Sequence, residues 1–269
     1  MTLDEAIKML RESGAPSPEE DARLLFSEIA GVPCHELVLK SARCDNPELV
    51  EAIKKRVSGI PVQYVIGEVE FYRERYEVSP DCLIPREDTE ILVDYAVKRI
   101  PDGESFIDIC TGSGCIAIST LKNTKQTRAL AIDISEGALR IAKKNATKND
   151  VCDRLELRQA NALDFVPEAP VFAILSNPPY VTNSAYATLA REIGFEPKIA
   201  FVGGDDGLDF YKKIIPNCKN ALKENGFIAL EIGYDQKDAI LELAQINGMH
   251  AEVFKDLSGN DRLAVLRKP

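Results

Sequence analysis

The sequence has little of what metal centres, disulfide scaffolds and nucleic-acid binders are built from. Only two histidines, His35 and His250, stand among 269 residues, and the seven cysteines (Cys34, Cys44, Cys82, Cys110, Cys115, Cys152, Cys218) include no Cys-x-x-Cys pair. That scatter excludes the usual zinc spacings and a disulfide framework, and it fits free thiols in a reducing cytoplasm. No metal is expected. Positive charge is also scarce: 33 Lys and Arg against 43 Asp and Glu leave a net charge of −10. A protein that wraps a phosphate backbone needs the opposite balance, so direct nucleic-acid binding is not expected. The two basic clusters, Lys54-Lys55-Arg56 and Lys143-Lys144, lie among acids on helical segments and read as solvated faces. No run approaches the roughly 20 apolar residues of a membrane span. The opening Met1-Thr2-Leu3-Asp4-Glu5 carries early acids, and neither a signal nor a transit peptide is expected.

What is present divides the chain into three stretches. Residues 1–60 read as a helical bundle. Thr2-x-x-Glu5 and Ser17-Pro18-Glu19-Glu20 have the form of capping boxes, Asn46-Pro47 opens a third helix, and Gly14, Gly31 and Gly59 stand at helix ends. Over residues 61–85 the apolar period shortens to two, through Val69, Phe71, Tyr76 and Val78, which predicts a β-hairpin linker turning near Arg73-Glu74. Residues 86–269 alternate short apolar runs with helical stretches. Strands are expected at 106–110, 129–133, 155–157, 172–175, 227–232, 251–254 and 262–266, with helices at 115–121, 136–148, 208–222 and 236–246. Such alternation predicts an α/β fold: a Rossmann-like, doubly wound, mostly parallel sheet with one antiparallel strand at its end.

Three motifs fall where strands of such a sheet end. Cys110-Thr111-Gly112-Ser113-Gly114 leaves the first strand and enters a helix, where small residues let a ligand approach backbone N–H groups. It lacks the third glycine of the dinucleotide fingerprint, so a nicotinamide cofactor is disfavoured, and a merely structural turn is the bland alternative. Asp133 ends the next strand about twenty residues later, the place from which a carboxylate accepts both hydroxyls of a ribose; helix capping is its structural alternative. The third motif, Asn177-Pro178-Pro179-Tyr180, is the most specific. Two prolines cannot continue a ladder, so the chain leaves the strand as a rigid extended loop with carbonyls free to face a ligand.

A planar NH2 group has two donors. The Asn177 side-chain oxygen can take one and the Pro178 carbonyl the other, while Tyr180 offers a ring for stacking. Amide and aromatic-amine nitrogens are poor nucleophiles because their lone pair is delocalised. Holding both protons on acceptors raises electron density on nitrogen and aims the lone pair at an incoming methyl group. Such alignment is worth several kcal/mol, within a ceiling of roughly 7–11 kcal/mol for ideal orientation. The nitrogen becomes acidic once alkylated, so no strong base is needed.

With these residues in place the sequence resembles the protein-(glutamine-N5) methyltransferases that modify peptide chain release factors, the family called PrmC or HemK. The resemblance runs nearly end to end, through 61–67, Leu83-Ile84-Pro85-Arg86-Glu87-Asp88-Thr89-Glu90, the Asn177 tetrapeptide, Phe195-Glu196-Pro197, 203–209, Leu230-Glu231-Ile232-Gly233 and 256–262. It implies a class I methyltransferase domain using S-adenosyl-L-methionine, an N-terminal bundle that docks the release factor, and a substrate glutamine in a Gly-Gly-Gln loop. Cys110 through Gly114 would surround the methionine part of the cofactor and Asp133 the ribose, with Asn161 and Ala162 beside the adenine. Asn177 would touch both cofactor and glutamine, and Pro178, Pro179 and Tyr180 would complete the amide pocket. The expected actor is a cytoplasmic monomer.

Three positions depart from the family pattern. Cys110 replaces a glycine, so the backbone there is expected to avoid positive φ. Asn161-Ala162 replaces an acid followed by a bulkier residue, which implies a looser hold on the base. Arg73 replaces a glycine and bears on the type of hairpin turn. The rival functions are an adenine-N6 or other nucleic-acid amino-methyltransferase, disfavoured by charge and by the lack of room for a target-recognition domain after Tyr180, and a noncatalytic release-factor adaptor, disfavoured by the intact motifs.

Overall fold

The computed structural model describes residues 1–31, 37 and 45–269; Cys34, His35 and Cys44 lie outside the described residues. Two compact units emerge: Met1–Val69 together with Ala190–Phe195, and Glu70–Leu189 together with Glu196–Pro269.

In the first unit, α1 (Leu3–Glu12), α2 (Pro18–Ala30) and α3 (Pro47–Val57) bury one face each, and Leu3, Ala6, Leu10, Leu25, Phe26, Leu49 and Ile53 form the shared core. Helix α1 begins where Thr2 closes a capping box: its hydroxyl accepts from Glu5 N at 3.2 Å while Glu5 accepts from Thr2 N at 2.8 Å. The second expected box does not form. Ser17 sits at φ −127°, ψ 64°, outside the extended geometry that aims an N-cap hydroxyl into the helix, and its side chain makes no capping hydrogen bond. Pro18 still starts the helix and Gly31, at φ 68°, ends it.

Arg56 also departs from expectation, because it is not part of a solvated face. It is 3% exposed, donates to Asp21 at 2.7 Å and pairs with Glu192 of the 190–195 segment. A buried guanidinium needs such partners, and no basic-cluster pattern reveals them. Its neighbours Lys54 and Lys55 are exposed.

The hairpin is shorter than the period suggested. Residues 62–66 form a one-turn helix, α4 (Val62–Ile66), before β1 (Glu68–Phe71) and β2 (Glu74–Glu77). A two-residue loop joins the strands, with Tyr72 at φ 50° and Arg73 at φ 68°. Both residues lie in the left-handed region, as a type I′ turn requires, so the arginine adopts the conformation a glycine would.

The second unit holds α5 (Glu90–Arg99), β3 (Ser105–Ile109), α6 (Cys115–Lys122), β4 (Arg128–Asp133), α7 (Glu136–Lys148), β5 (Leu155–Gln159), β6 (Val171–Ser176), α8 (Asn183–Tyr186), α9 (Tyr211–Cys218), β7 (Leu222–Glu231), α10 (Lys237–Ile246), β8 (His250–Lys255) and β9 (Asp261–Arg267). The sheet order is β5-β4-β3-β6-β7-β9-β8, parallel except for β9, which runs antiparallel to both of its neighbours. Helix α5 has no counterpart among the expected elements, and the helix expected at 208–222 is shortened to α9, followed by a 3-10 turn at Lys219–Ala221, with Leu222 already in β7.

Chain order reverses between β3 and β6, so the crevice beyond their carboxyl ends is the topological switch point of the sheet. Registers then place the motifs. Ile109 pairs with Ile132 on one side and Ser176 on the other, which brings Cys110, Asp133 and Asn177 to one edge. Ser176 Oγ donates to the Ile109 carbonyl at 2.6 Å and ties the two strand ends. Among the described residues, no helix is long and apolar enough to cross a membrane.

Candidate functional site

At this edge lies a cavity of about 340 Å³, within the roughly 300–1,000 Å³ of small-molecule sites. Of the residues the sequence singled out, Cys110, Gly112, Asp133, Asn161, Ala162, Asn177 and Pro179 line it. Thr111, Ser113, Gly114, Pro178 and Tyr180 are not in the lining. Leu83, Ile134, Pro197, Ile199 and Phe210 contribute apolar wall that the sequence reading did not assign.

The glycine turn is held from beneath by Asp108, whose Oδ2 accepts from Thr111 Oγ1 at 2.6 Å and Ala117 N at 3.2 Å. Burial pushes the Asp108 carboxyl up to about 7. Thr111 and Ser113 are thus inward-facing supports, and Gly114, at φ 82°, caps α6 where a Cβ would meet Ile118 at 2.9 Å and Ala142 at 3.2 Å. Gly112, at φ 56°, has open space where its Cβ would be, so a ligand can approach its backbone.

Cys110 corrects an expectation: it does adopt positive φ, 62°. The chain must reverse directly after β3 so that Thr111 N reaches the Ile132 carbonyl at 3.0 Å and Gly112 N reaches Asp133 Oδ2 at 2.9 Å. A short unbranched side chain tolerates this at a cost of about 1–2 kcal/mol. Burial raises its thiol well above the ordinary value, so the sulfur stays protonated.

Asp133 accepts one backbone N–H on each oxygen, Gly112 on Oδ2 and Ser135 on Oδ1, both at 2.9 Å. A carboxylate has about four lone-pair sites, so two remain. Burial raises its carboxyl while the N–H donors oppose the rise. Asn161 is engaged locally, with Oδ1 accepting from Leu163 N at 3.0 Å and Nδ2 donating to Asp164 at 2.8 Å. Asn161 and Ala162 both line the cavity.

The tetrapeptide is clamped from behind. Gly203 and Gly207 pack so closely that a Cβ on the first would lie 2.4 Å from the Pro179 carbonyl oxygen, and on the second 2.3 Å from that of Tyr180. Gln236 Nε2 donates to the Tyr180 and Gly207 carbonyls, each at 3.1 Å. Asn177 Nδ2 donates to Thr89 Oγ1 at 3.1 Å, Thr89 donates to Glu231 Oε2 at 2.5 Å, and the Tyr180 hydroxyl donates to Glu231 Oε1 at 3.2 Å. Tyr180 therefore points its hydroxyl at a buried carboxylate. Buried Glu196 accepts from Ile84 N at 2.9 Å and pairs with Arg86, which holds the 83–86 segment. Thr89, Glu231 and Gln236 were missed as functional candidates. The one signal was an acid, Glu231, inside the otherwise apolar run 227–232.

The mostly parallel sheet, with a cavity at its switch point lined by Cys110, Asp133 and Asn177, is that of a methyltransferase of the class I fold. Solved structures share that fold. A methyltransferase from Pyrococcus furiosus matches with a TM-score of 0.54 at 21% identity, over 71% of this chain and 86% of that one. The ribosomal protein L11 methylase of Lactobacillus delbrueckii subsp. bulgaricus matches at 0.51 and 20%, over 68% and 81%. Residues 87–194 match the Methyltransferase small domain, and residues 2–67 the PrmC N-terminal domain. The release factor glutamine methyltransferase of Moorella thermoacetica is 34% identical over 97% of this chain and 95% of its own length. That of Thermodesulfovibrio yellowstonii is 36% identical over 90% and 92%. The chain belongs to the release factor glutamine methyltransferase family.

Proposed function

We propose that the chain methylates the side-chain amide nitrogen of the glutamine in the Gly-Gly-Gln loop of peptide chain release factors, with S-adenosyl-L-methionine as methyl donor. The observation that carries this reading is the Asn177 carboxamide: its Nδ2 is engaged by Thr89, which leaves Oδ1 as an acceptor in a cavity that Asp133 also lines. Membership of the family over nearly the whole chain supports the choice of a glutamine over a nucleobase.

The residues present fit the cofactor. Asp133 keeps a lone pair on each oxygen for two vicinal hydroxyls, Gly112 leaves open space for close approach to its backbone, and Ala160, Ala162 and Ile134 give an apolar wall for a flat base. When bound, the cofactor supplies an electrophilic methyl group on a sulfonium sulfur. The chain does the rest. Asn177 Oδ1 and the Pro178 carbonyl accept the two amide protons of the substrate and orient its nitrogen lone pair. Leu83, Pro197 and Ile199 line the same cavity and give it apolar wall. No residue need remove a proton before transfer.

We assign docking of the release factor to residues 1–60, with 61–85 as linker and 86–269 as the transferase. The test is transfer from methyl-labelled cofactor to a release factor, to the same factor with its loop glutamine replaced, and to duplex DNA. Label on the first alone is expected. Label on the DNA, or on the glutamine-free factor, overturns the reading.

A further inference from the structure

Behind the tetrapeptide lies a run of hydrogen bonds with a fixed direction. Glu231, the last residue of β7, is 3% exposed and Thr89 is 2% exposed. An ionised carboxylate can only accept, so both hydroxyl protons that reach it, from Thr89 at 2.5 Å and Tyr180 at 3.2 Å, must point inward. A hydroxyl has one proton. With that proton given to Glu231, Thr89 Oγ1 has only lone pairs left for Asn177, and the 3.1 Å contact must be a donation from Nδ2. The carboxamide is thereby turned with Oδ1 away from Thr89.

We infer that Thr89 and Glu231 are positioning residues that set which end of the Asn177 carboxamide faces the substrate. This rests on the proposed reading of Asn177 as an acceptor for a substrate NH2. Protonating Glu231 removes the constraint: the carboxyl can then donate to Thr89, the Thr89 hydroxyl can turn to Asn177 Oδ1, and the carboxamide presents its own NH2 to a substrate NH2. Donor would face donor.

Burial pushes the Glu231 carboxyl up to about 7, against the opposing effects of Thr89, Arg262 and Tyr180, so the switch falls in an accessible pH range. Arg262 of β9 is bridged at 3.2 Å to Asp88, in the turn before α5, and at 3.2 Å to Asp256, in the loop after β8. Tyr211 of α9 donates to the Glu231 main-chain carbonyl at 2.9 Å, not to its carboxylate, and burial keeps that phenol protonated. Burial likewise keeps the Tyr180 phenol protonated and able to donate.

The experiment uses the full chain as wild type and as Thr89→Val, Thr89→Ser and Glu231→Gln, with three readouts: cofactor Kd, kcat on a release factor between pH 5.5 and 8.5 (about that range, to bracket the Glu231 value), and the 15N side-chain amide signal of Asn177. Thr89→Val should leave Kd within about 3-fold and lower kcat on the order of 100-fold, the scale of a misplaced reacting group. Thr89→Ser, which keeps the hydroxyl, should recover kcat to within several-fold. The Asn177 signal should shift with pH in the wild type, in step with an acid limb in kcat, and both should be absent from Glu231→Gln. A Thr89→Val variant with wild-type kcat, a Thr89→Ser variant as slow as Thr89→Val, or a pH-independent Asn177 signal in the wild type each overturns the inference. A wild type that labels no release factor overturns the proposed function instead, and the Asn177 signal still decides the direction of the hydrogen bonds.

Discussion

Replacing Glu231 by Gln should make the second unit more stable above pH 7 and leave it nearly unchanged below pH 4.5. Burial holds the folded carboxyl near 7 against 4.5 in the unfolded chain. The folded state therefore binds the extra proton between those values, and stability falls as pH rises through that window. A shift of about 2.5 units at 1.36 kcal/mol each amounts to about 3 kcal/mol of stability lost by pH 8. Gln is neutral throughout and escapes this loss, while its carboxamide can still accept from Thr89 and donate to the Tyr180 oxygen. Asp108, also raised to about 7, gives the wild-type curve a similar slope, so the quantity to read is the variant minus the wild type. Urea unfolding followed by far-UV circular dichroism at about pH 5 and pH 8 supplies it. Part of the loss is already present at pH 5, so the difference should grow by roughly 2–3 kcal/mol between the two. An equal difference at both pH values would refute the reasoning, because it would mean that Glu231 ionises as readily inside the fold as in water. The charge at Glu231 is thus a burden on stability, kept where it directs Asn177.

Four further outcomes are expected. Asn177→Ala should abolish turnover with cofactor affinity largely kept; near-normal turnover would remove the amide clamp from the mechanism. Asp133→Ala should raise the cofactor dissociation constant by about 10-fold or more, since each hydrogen bond to a charged acceptor contributes roughly 1.5–3 kcal/mol, and calorimetry with unchanged affinity would take Asp133 out of the ribose site. Gly207→Ala places a Cβ 2.3 Å from the Tyr180 carbonyl oxygen at φ 73°, so kcat should drop sharply while the fold survives with a lowered melting temperature. Arg56→Ala leaves Asp21 buried without its partner, and the first unit should lose about 3–5 kcal/mol on thermal unfolding.

The motifs were legible because each ends a strand, and strand ends are marked by breakers: Gly112 and Gly114, then the paired prolines after Asn177. Apolar runs such as 106–109 and 172–175 located β3 and β6, and the alternation of elements predicted the parallel order that sets Ile109 beside Ser176. Helix α5 was not legible because half-buried apolar Ile91, Tyr95 and Val97 stand among its buried Leu92, Val93 and Ala96, which blurs a one-sided helical period. Cys110 was misjudged because glycine preference is a statement about cost, and two backbone hydrogen bonds made that cost acceptable. The Thr89–Glu231 contact joins residues 142 positions apart, and only a folded sheet brings them together. The same holds for Gly203 and Gly207, whose closeness to the tetrapeptide is a matter of packing and not of local propensity.

Glu192 and its neighbours bear on how this protein can be divided or inherited. Residues 190–195 are flanked on both sides by chain of the second unit, yet they belong to the first, where Glu192 partners the buried Arg56. No single cut separates the two units intact. A fragment ending at Val69 keeps Arg56 and Asp21 but leaves Glu192 behind, and its complement carries six residues with no core of their own to join. Recombination that exchanges the N-terminal helices between relatives must therefore carry the 190–195 segment along, so those two stretches are expected to change together in evolution although more than a hundred residues lie between them.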